Sequence, residues 1–270
     1  MDGAAAAGIE TAEAPVLGRH DALGITTLTL DRPAQRNALS LALMAALQAE
    51  LDAIREDSRV RVVVLAGTGP AFCAGHDLKE LRSRNDRAFY ETVFERCSAL
   101  MQAITTLPQP VIARVHGVAT AAGCQLVASA DLAIAADTAR FATPGVNIGL
   151  FCSTPMVALT RNVGRKQAME MLLTGEAIDA ATALRLGLVN RVVGEAALDA
   201  AVAAMAETIR AKSRVTLRLG KEAFYRQLEQ PLAEAYAYAG RVMTLNMLER
   251  DAHEGIDAFL ARRPPVWAGD

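Results

Sequence analysis

A chain of 270 residues that is 52% hydrophobic but only 4% aromatic can bury a large aliphatic core in one domain, or in one domain plus an appendage. Its net charge of −2 gives no electrostatic footprint for nucleic acid or an anionic membrane, so neither is expected as a partner. The four cysteines, Cys73, Cys97, Cys124 and Cys152, lack the short paired spacings of a zinc site or a redox dithiol. Each reads as a small buried hydrophobe in a reducing compartment, and no metal is expected.

Residues 1–18 are Ala-rich, carry Asp2, Glu10 and Glu13, and lack both a basic n-region and an apolar h-region. They read as a flexible tail rather than a secretory signal or an Arg-rich transit peptide, which points to a cytoplasmic location. No apolar stretch reaches the length of a membrane span; even 119–136 is broken by Gly123, Gln125, Ser129 and Asp131.

Strand-like runs follow at Ile25 to Leu30, Val60 to Leu65, Val111 to Val115, Leu132 to Ala136 and Val189 to Val193. They alternate with helical patterns, which predicts an α/β fold with substantial parallel pairing. Ser40 is placed to cap a helix with Leu43, Leu47, Leu51 and Ile54 on one face, ending near Asp57. Asp86 is placed to cap a second, carrying Phe89, Val93, Cys97, Leu100 and Ile104, which Pro108 terminates. Beyond Gly194 come four helical patterns without a strand: Glu195 to Ala211, Ser213 to Leu228, Leu232 to Glu249 and Asp251 to Arg262. Their apolar stripes must pack on each other, on the core or on another subunit.

Two segments carry the chemistry. The run Ala71-Phe-Cys-Ala-Gly-His-Asp-Leu-Lys79 follows a strand and a Gly67-Thr-Gly69-Pro70 turn, too short to cradle phosphate. Pro110 to Gln125 repeats the arrangement, with a helix starting at Ala122 to Cys124. Small residues permit close approach, and a helix N-terminus favours developing negative charge, so two such loops can aim two backbone N–H groups at one carbonyl oxygen.

These loops, with Asp31-Arg-Pro-Ala-Gln-Arg-Asn-Ala-Leu39, Phe141-Ala-Thr-Pro-Gly145, Leu173-Thr-Gly-Glu176 and Ala183 to Asn190, resemble the crotonase (enoyl-CoA hydratase/isomerase) superfamily from about Gly24 to Trp267. The strings Gly75 to Leu81, Gly117 to Leu126 and Asn147 to Pro155 most resemble one branch of it. The resemblance implies a crotonase-like spiral of repeated ββα units with a C-terminal α-helical trimerisation region. Residues 1–18 would then be the tail, 19–194 the core with the acyl-CoA site, and 195–270 the oligomerisation region of a homotrimer or hexamer. It implies an acyl-CoA thioester as substrate, with no cofactor beyond the CoA that the substrate carries.

By the same resemblance, the backbone N–H groups of His76 and Ala122 are the oxyanion donors. CoA contacts fall on Arg36, Asn37 and Ala38 in the first loop and on Asp77, Leu78 and Lys79 in the second. Arg36 suits a phosphate, or is a solvated surface arginine. The two glutamates of the hydratases correspond to Gln125 and Gly145, and the carboxylate of isomerase branches to Ser153. Gln125 can orient a water but cannot take its proton, and a general base usually contributes about 10²- to 10⁴-fold. Ordinary hydratase activity is therefore not expected. A non-catalytic acyl-CoA binder or assembly subunit is the alternative, and a thioesterase using Cys152 or Ser153 is a third reading. Of the remaining candidates, the His76 ring reads as structural or solvent-facing, His116 as a hydrogen-bonded turn residue, Asp131 as a backbone cap, and Asp77 as a positioning group.

Overall fold

The computed structural model describes residues 16–268. Most of the expected tail lies outside the described residues, and its last two, Leu17 and Gly18, already belong to a strand. In chain order the elements are β1 (Leu17–Ala22), β2 (Ile25–Leu30), α1 (Leu41–Glu56), β3 (Val62–Gly67), β4 (Ala71–Cys73), α2 (Leu78–Ser83) and α3 (Arg87–Thr106). Next come β5 (Val111–Val115), β6 (Val118–Thr120), α4 (Ala122–Ser129), β7 (Leu132–Ala136), β8 (Arg140–Ala142), a 3₁₀ turn (Pro144–Ile148), α5 (Ser153–Leu159) and α6 (Arg165–Thr174). The chain continues through β9 (Ile178–Asp179), α7 (Ala180–Arg185), β10 (Arg191–Val193), α8 (Leu198–Arg210), α9 (Arg214–Leu228), α10 (Leu232–Met247) and α11 (Arg250–Leu260).

The strands form two sheets, one six-stranded in the order β1-β2-β3-β5-β7-β10 and one four-stranded in the order β4-β6-β8-β9. Each of the pairs β3/β4, β5/β6 and β7/β8 gives its first strand to the larger sheet and its second to the smaller. Both sheets run parallel except at β1/β2 and β8/β9. This is the repeated strand–strand–helix winding anticipated from the motifs. Parallel strands need both faces covered, and β3 shows how: Val63 and Leu65 enter the main core with α1, α3 and α4. Val62 and Val64 enter a second core against Leu198, Val202 and Ala206 of α8. The first helix beyond Gly194 is thus a layer of the core.

Two strand limits differ from expectation for a local reason. Val60 donates to the Asp57 carbonyl (3.1 Å) in a turn, so β3 begins at Val62. Asn190 meets Ala133 through its own backbone N–H and its side-chain oxygen, each at 2.8 Å, so β10 begins only at Arg191. The helices α9 to α11 leave Phe224, Leu232, Tyr236, Met243, Leu248 and Phe259 exposed. No helix is long and apolar enough to cross a membrane among the described residues.

Candidate active site

The loop between β4 and α2 is held from two sides. On one, Leu39 donates to the Gly75 carbonyl (2.7 Å), Asp77 N–H donates to Leu39 (3.0 Å) and Ala74 N–H to Arg36 (3.0 Å). On the other, the Thr120 hydroxyl donates to the Ala74 carbonyl at 3.1 Å. Arg32 ties the first loop to the second, donating to the Ala38 carbonyl and to Asp77 at 2.9 Å. Asp77 also caps α2, accepting from the Lys79 and Glu80 amides, and Glu80 in turn accepts from Leu41 N–H at the start of α1. Burial opposes the Asp77 charge, but the Arg32 guanidinium and the capped amides outweigh it and hold the carboxyl below its ordinary range.

Glycine decides how closely the loops approach. A Cβ on Gly75 (φ +97°) would lie 2.8 Å from Ala121 Cβ and 3.3 Å from Ala122 N, so the His76 loop packs directly on the start of α4. Ala121 sits at φ 50°, ψ −119°, a conformation unfavourable for a residue with a side chain, and its N–H donates to Ala142 (2.9 Å). That backbone aims the Ala122 amide. Among the described residues, neither His76 N–H nor Ala122 N–H has a hydrogen-bond acceptor.

Gln125 is 4% exposed and Thr143 fully buried; the Gln125 Oε1 and the Thr143 hydroxyl both lack a partner. The His76 ring lies edge-on to Phe94 (centroids 5.5 Å apart), and neither of its nitrogens has a partner. Burial pushes its pKa down to about 4. Phe94 in turn lines an open groove of about 700 Å³ along α3, together with Tyr90, Glu91, Glu95, Ser98 and Gln102.

The low His76 pKa has a measurable consequence. An unfolded chain takes up a proton at the ordinary value of 6.5, whereas the folded chain refuses it down to about 4. Stability is therefore lost as pH falls from about 6.5 to about 4, by on the order of 2–3 kcal/mol. Denaturant titrations at about pH 7.5 and about pH 4.5 should show a loss in the wild type that is smaller in His76→Asn, where His116 still contributes its part. Equal losses in the two proteins would contradict it.

The remaining sequence candidates fall as follows. Arg36 (φ 52°) and Lys79 are exposed, with no hydrogen bond or ion pair from their side chains among the described residues, and Leu78 is exposed beside them. Asn37 is fully buried; its Nδ2 donates to Thr68 and Ala71 (both 2.8 Å) and its Oδ1 accepts from Arg32 N–H. That side chain stitches the loop, so only its backbone is available to a ligand. Gly145 has no space for a side chain: a Cβ there would lie 2.5 Å from the Leu150 carbonyl oxygen and 2.9 Å from Cys152 Sγ. Burial raises the Cys152 thiol pKa, and Ser153 makes only a 3.4 Å contact to Phe151 O, with no base in reach. His116 is bonded to Gly69 in a turn (2.9 Å). The roles of Arg32, Thr120 and Thr143 were not read from the sequence. All three stand inside the quoted motifs, but only the partners of Arg32 and Thr120 reveal what those two do. No group of three or more His, Cys, Asp or Glu residues suited to a metal occurs among the described residues.

Residues 21–270 match the family described as Enoyl-CoA hydratase/isomerase. The chain is 49% identical over 245 residues to the human enoyl-CoA hydratase domain-containing protein 3, covering 91% of this chain and 81% of that protein. That is the branch the motif strings resemble. The crystal structure of the human protein superposes with a TM-score of 0.91 at 47% identity, covering 94% of this chain and all (100%) of the other. The crystal structure of an enoyl-CoA hydratase from Mycobacterium smegmatis does so with a TM-score of 0.93 at 56% identity, covering 94% of this chain and 99% of that one. The rat, mouse and human relatives are named as mitochondrial proteins, which overturns the expectation of a cytoplasmic location drawn from residues 1–18.

Proposed function

The chain belongs to the enoyl-CoA hydratase/isomerase family, and from that premise we propose that it acts on an acyl-CoA thioester by stabilising an enolate in an oxyanion hole. The observation that carries this reading is the pair of unpartnered amides, His76 N–H and Ala122 N–H, on two loops in contact through Gly75. The thioester oxygen accepts from both, and the positive end of α4 adds to their effect as negative charge builds on that oxygen. A single such donor is worth about 10²-fold or more in rate. Arg36 and Lys79, exposed and unpaired at the loop edges, meet the CoA phosphates, while the Asn37, Ala38 and Leu78 backbone shapes the path between them. Asp77 acts through Arg32 as a positioning residue. The exposed apolar side chains of α9 to α11 are covered by further copies in a homotrimer or hexamer.

Ordinary hydration does not suit these residues. Gln125 cannot accept a proton, Gly145 has no room for an acid, and Ser153 is a poor substitute for one. The same substitutions favour, as a second reading, a binder that holds acyl-CoA without turning it over. A thioesterase lacks support, because neither Cys152 nor Ser153 has an activating base.

Incubation with a panel of acyl- and enoyl-CoA thioesters in heavy water, followed by mass spectrometry, separates the readings. Gain of deuterium at the α-carbon is the expected result and marks the enolate. Saturable binding with every thioester recovered unchanged would favour the binder instead.

A further inference from the structure

Far from the candidate active site, the entries of β3 and β5 meet the first turn of α9 in a crevice lined by Arg61, Pro108, Gln109, Pro110, Arg214 and Arg218. Arg61 precedes β3, whereas Asn37 of the first loop reaches that strand at Gly67, about 20 Å further along it. Arg61 donates to the Lys212 carbonyl (2.6 Å), and the side chains of Arg214 and Arg218 make no hydrogen bond or ion pair among the described residues. No carboxylate answers these three guanidiniums. The neighbouring acids are engaged elsewhere: Asp57 with Arg59 (2.8 Å), Glu207 with Arg210 (2.5 Å), Asp131 with Lys221 (2.6 Å), and Asp251 with Ala268 N–H (2.7 Å). Burial and the nearness of Arg214 and Arg210 lower the Arg61 pKa, with Asp251 opposing them, so positive charge is in excess here. The start of α9 adds to it: Ser213 caps Thr216 N–H (3.2 Å), but the amides of Arg214 and Val215 have no acceptor among the described residues.

An independent feature of the same crevice calls for a donor. Gln109 is 3% exposed, its Nε2 donates to the Ile54 carbonyl (2.7 Å), and its buried Oε1 is left without a partner. A buried acceptor without a donor is costly. Sulfate and carboxylates would satisfy the arginines but bring no hydrogen to this oxygen, whereas inorganic phosphate carries both negative charge and a hydroxyl. The crevice encloses about 10 Å³, room for a single oxygen. We propose that it binds inorganic phosphate, with one P–OH entering to donate to Gln109 Oε1 and the remaining oxygens at the mouth accepting from Arg61, Arg214 and Arg218.

The arrangement suits a tetrahedral oxyanion. Guanidinium groups present parallel N–H donors, and here they come from two elements, Arg61 from the entry of β3 and the other two from α9. A bound phosphate therefore joins α9 to the sheet on the same flank as Lys221, whose ammonium donates to the Gln109 carbonyl at 3.0 Å. Because the crevice exists only when α9 is docked, the ligand stabilises the folded chain.

The test titrates the full chain by calorimetry at about pH 8 with inorganic phosphate, sulfate and methyl phosphate, all mainly dianions there, of which only the first carries a hydroxyl. Inorganic phosphate is expected to bind about tenfold more tightly than either of the others and to raise the unfolding temperature. The double variant Arg214→Gln with Arg218→Gln, which disturbs no hydrogen bond of either side chain, should weaken phosphate about tenfold or more. Arg36→Gln, at the other end of β3, should leave it unchanged. Absence of phosphate binding by the folded wild type would overturn the proposal. So would binding that survives the double variant and disappears in Arg36→Gln, since the anion would then sit in the first loop. Equal affinity for the three dianions would refute the contact with Gln109.

Discussion

Gly123→Ala is expected to destabilise the protein by about 3 kcal/mol or more, at the upper end of what overpacking a core costs. The reason is geometric. Gly123 stands in the first turn of α4, and a Cβ built on it would fall 2.0 Å from the Cys73 carbonyl oxygen and 2.7 Å from the carbonyl carbon. Both are backbone atoms of β4, so no side-chain rotation relieves the clash. Either α4 withdraws from the His76 loop or β4 leaves its pairing with β6. Each movement displaces the Ala122 amide, so any folded fraction should also lose acyl-CoA binding. Gly220→Ala, in α9 with nothing within 4 Å of the added atom, is the matched control. It should stabilise by about 0.5–1 kcal/mol through helix propensity and the unfolded-state entropy. Denaturant unfolding of the two variants checks both signs, and a Gly123→Ala protein as stable as the wild type would contradict the packing described.

Lys221→Met is expected to cost about 3 kcal/mol or more for a different reason, the stranding of a buried charge. Lys221 Nζ donates to Asp131 (2.6 Å) and to the Ile104 and Gln109 carbonyls (both 3.0 Å). Its side chain is 8% exposed and that of Asp131 15%. Asp131 also accepts from Val111 N–H (2.7 Å) and from the Tyr225 hydroxyl (2.8 Å). One ammonium thus joins α9 to the end of α3 and to the entries of β5 and β7. Burial pushes the Asp131 carboxyl above its ordinary value and the Lys221 amine below, with their mutual attraction opposing both shifts. Removing the amine leaves the carboxylate without its cation and two carbonyls without a donor. The double variant Lys221→Met with Asp131→Asn should be less destabilised than the sum of the single changes, because it leaves no unpaired charge. Additive costs would show that the two groups do not act as a pair.

This cluster also marks where reading the sequence stops. Asp131 was expected to cap backbone, and it does bond Val111 N–H, but Lys221 and Tyr225 are 90 and 94 residues further on. Nothing local announces a partner at that separation. Local signals fared better where one residue meets its near neighbours: Ser40 accepts from Leu43 N–H (3.2 Å) and Asp86 from Ala88 N–H (3.1 Å), as their positions before apolar helical stripes suggest. β2, β5 and β7 have the expected limits because their β-branched and aliphatic runs are five or six residues long. The smaller sheet is built of strands of two or three residues, too short to display a period of two. It was anticipated only through the family's motifs.

The site divides in the same way. Small-residue loops pointed to a close approach between the Gly75 and Ala122 segments, and the geometry of Gly75 and Gly123 explains why those residues are small. The sequence did not reveal that the Asn37 side chain is spent on Thr68 and Ala71, or that Gly145 is walled in by Leu150 and Cys152. The partners of Asn37 lie more than thirty residues away, and those of Gly145 lie in its own loop, where only the path of the backbone shows how closely Leu150 and Cys152 fold back on it.

The central claim is that two unpartnered amides receive the thioester oxygen, and isotope-edited infrared spectroscopy of the bound carbonyl tests it most directly. With butyryl-CoA labelled with carbon-13 at the thioester carbonyl, the C=O stretch of the saturated complex should move to lower frequency than in free solution, because two fixed backbone donors at the start of α4 polarise and weaken that bond. A carbonyl that binds with its frequency unchanged or raised would place the thioester away from His76 N–H and Ala122 N–H and contradict the account.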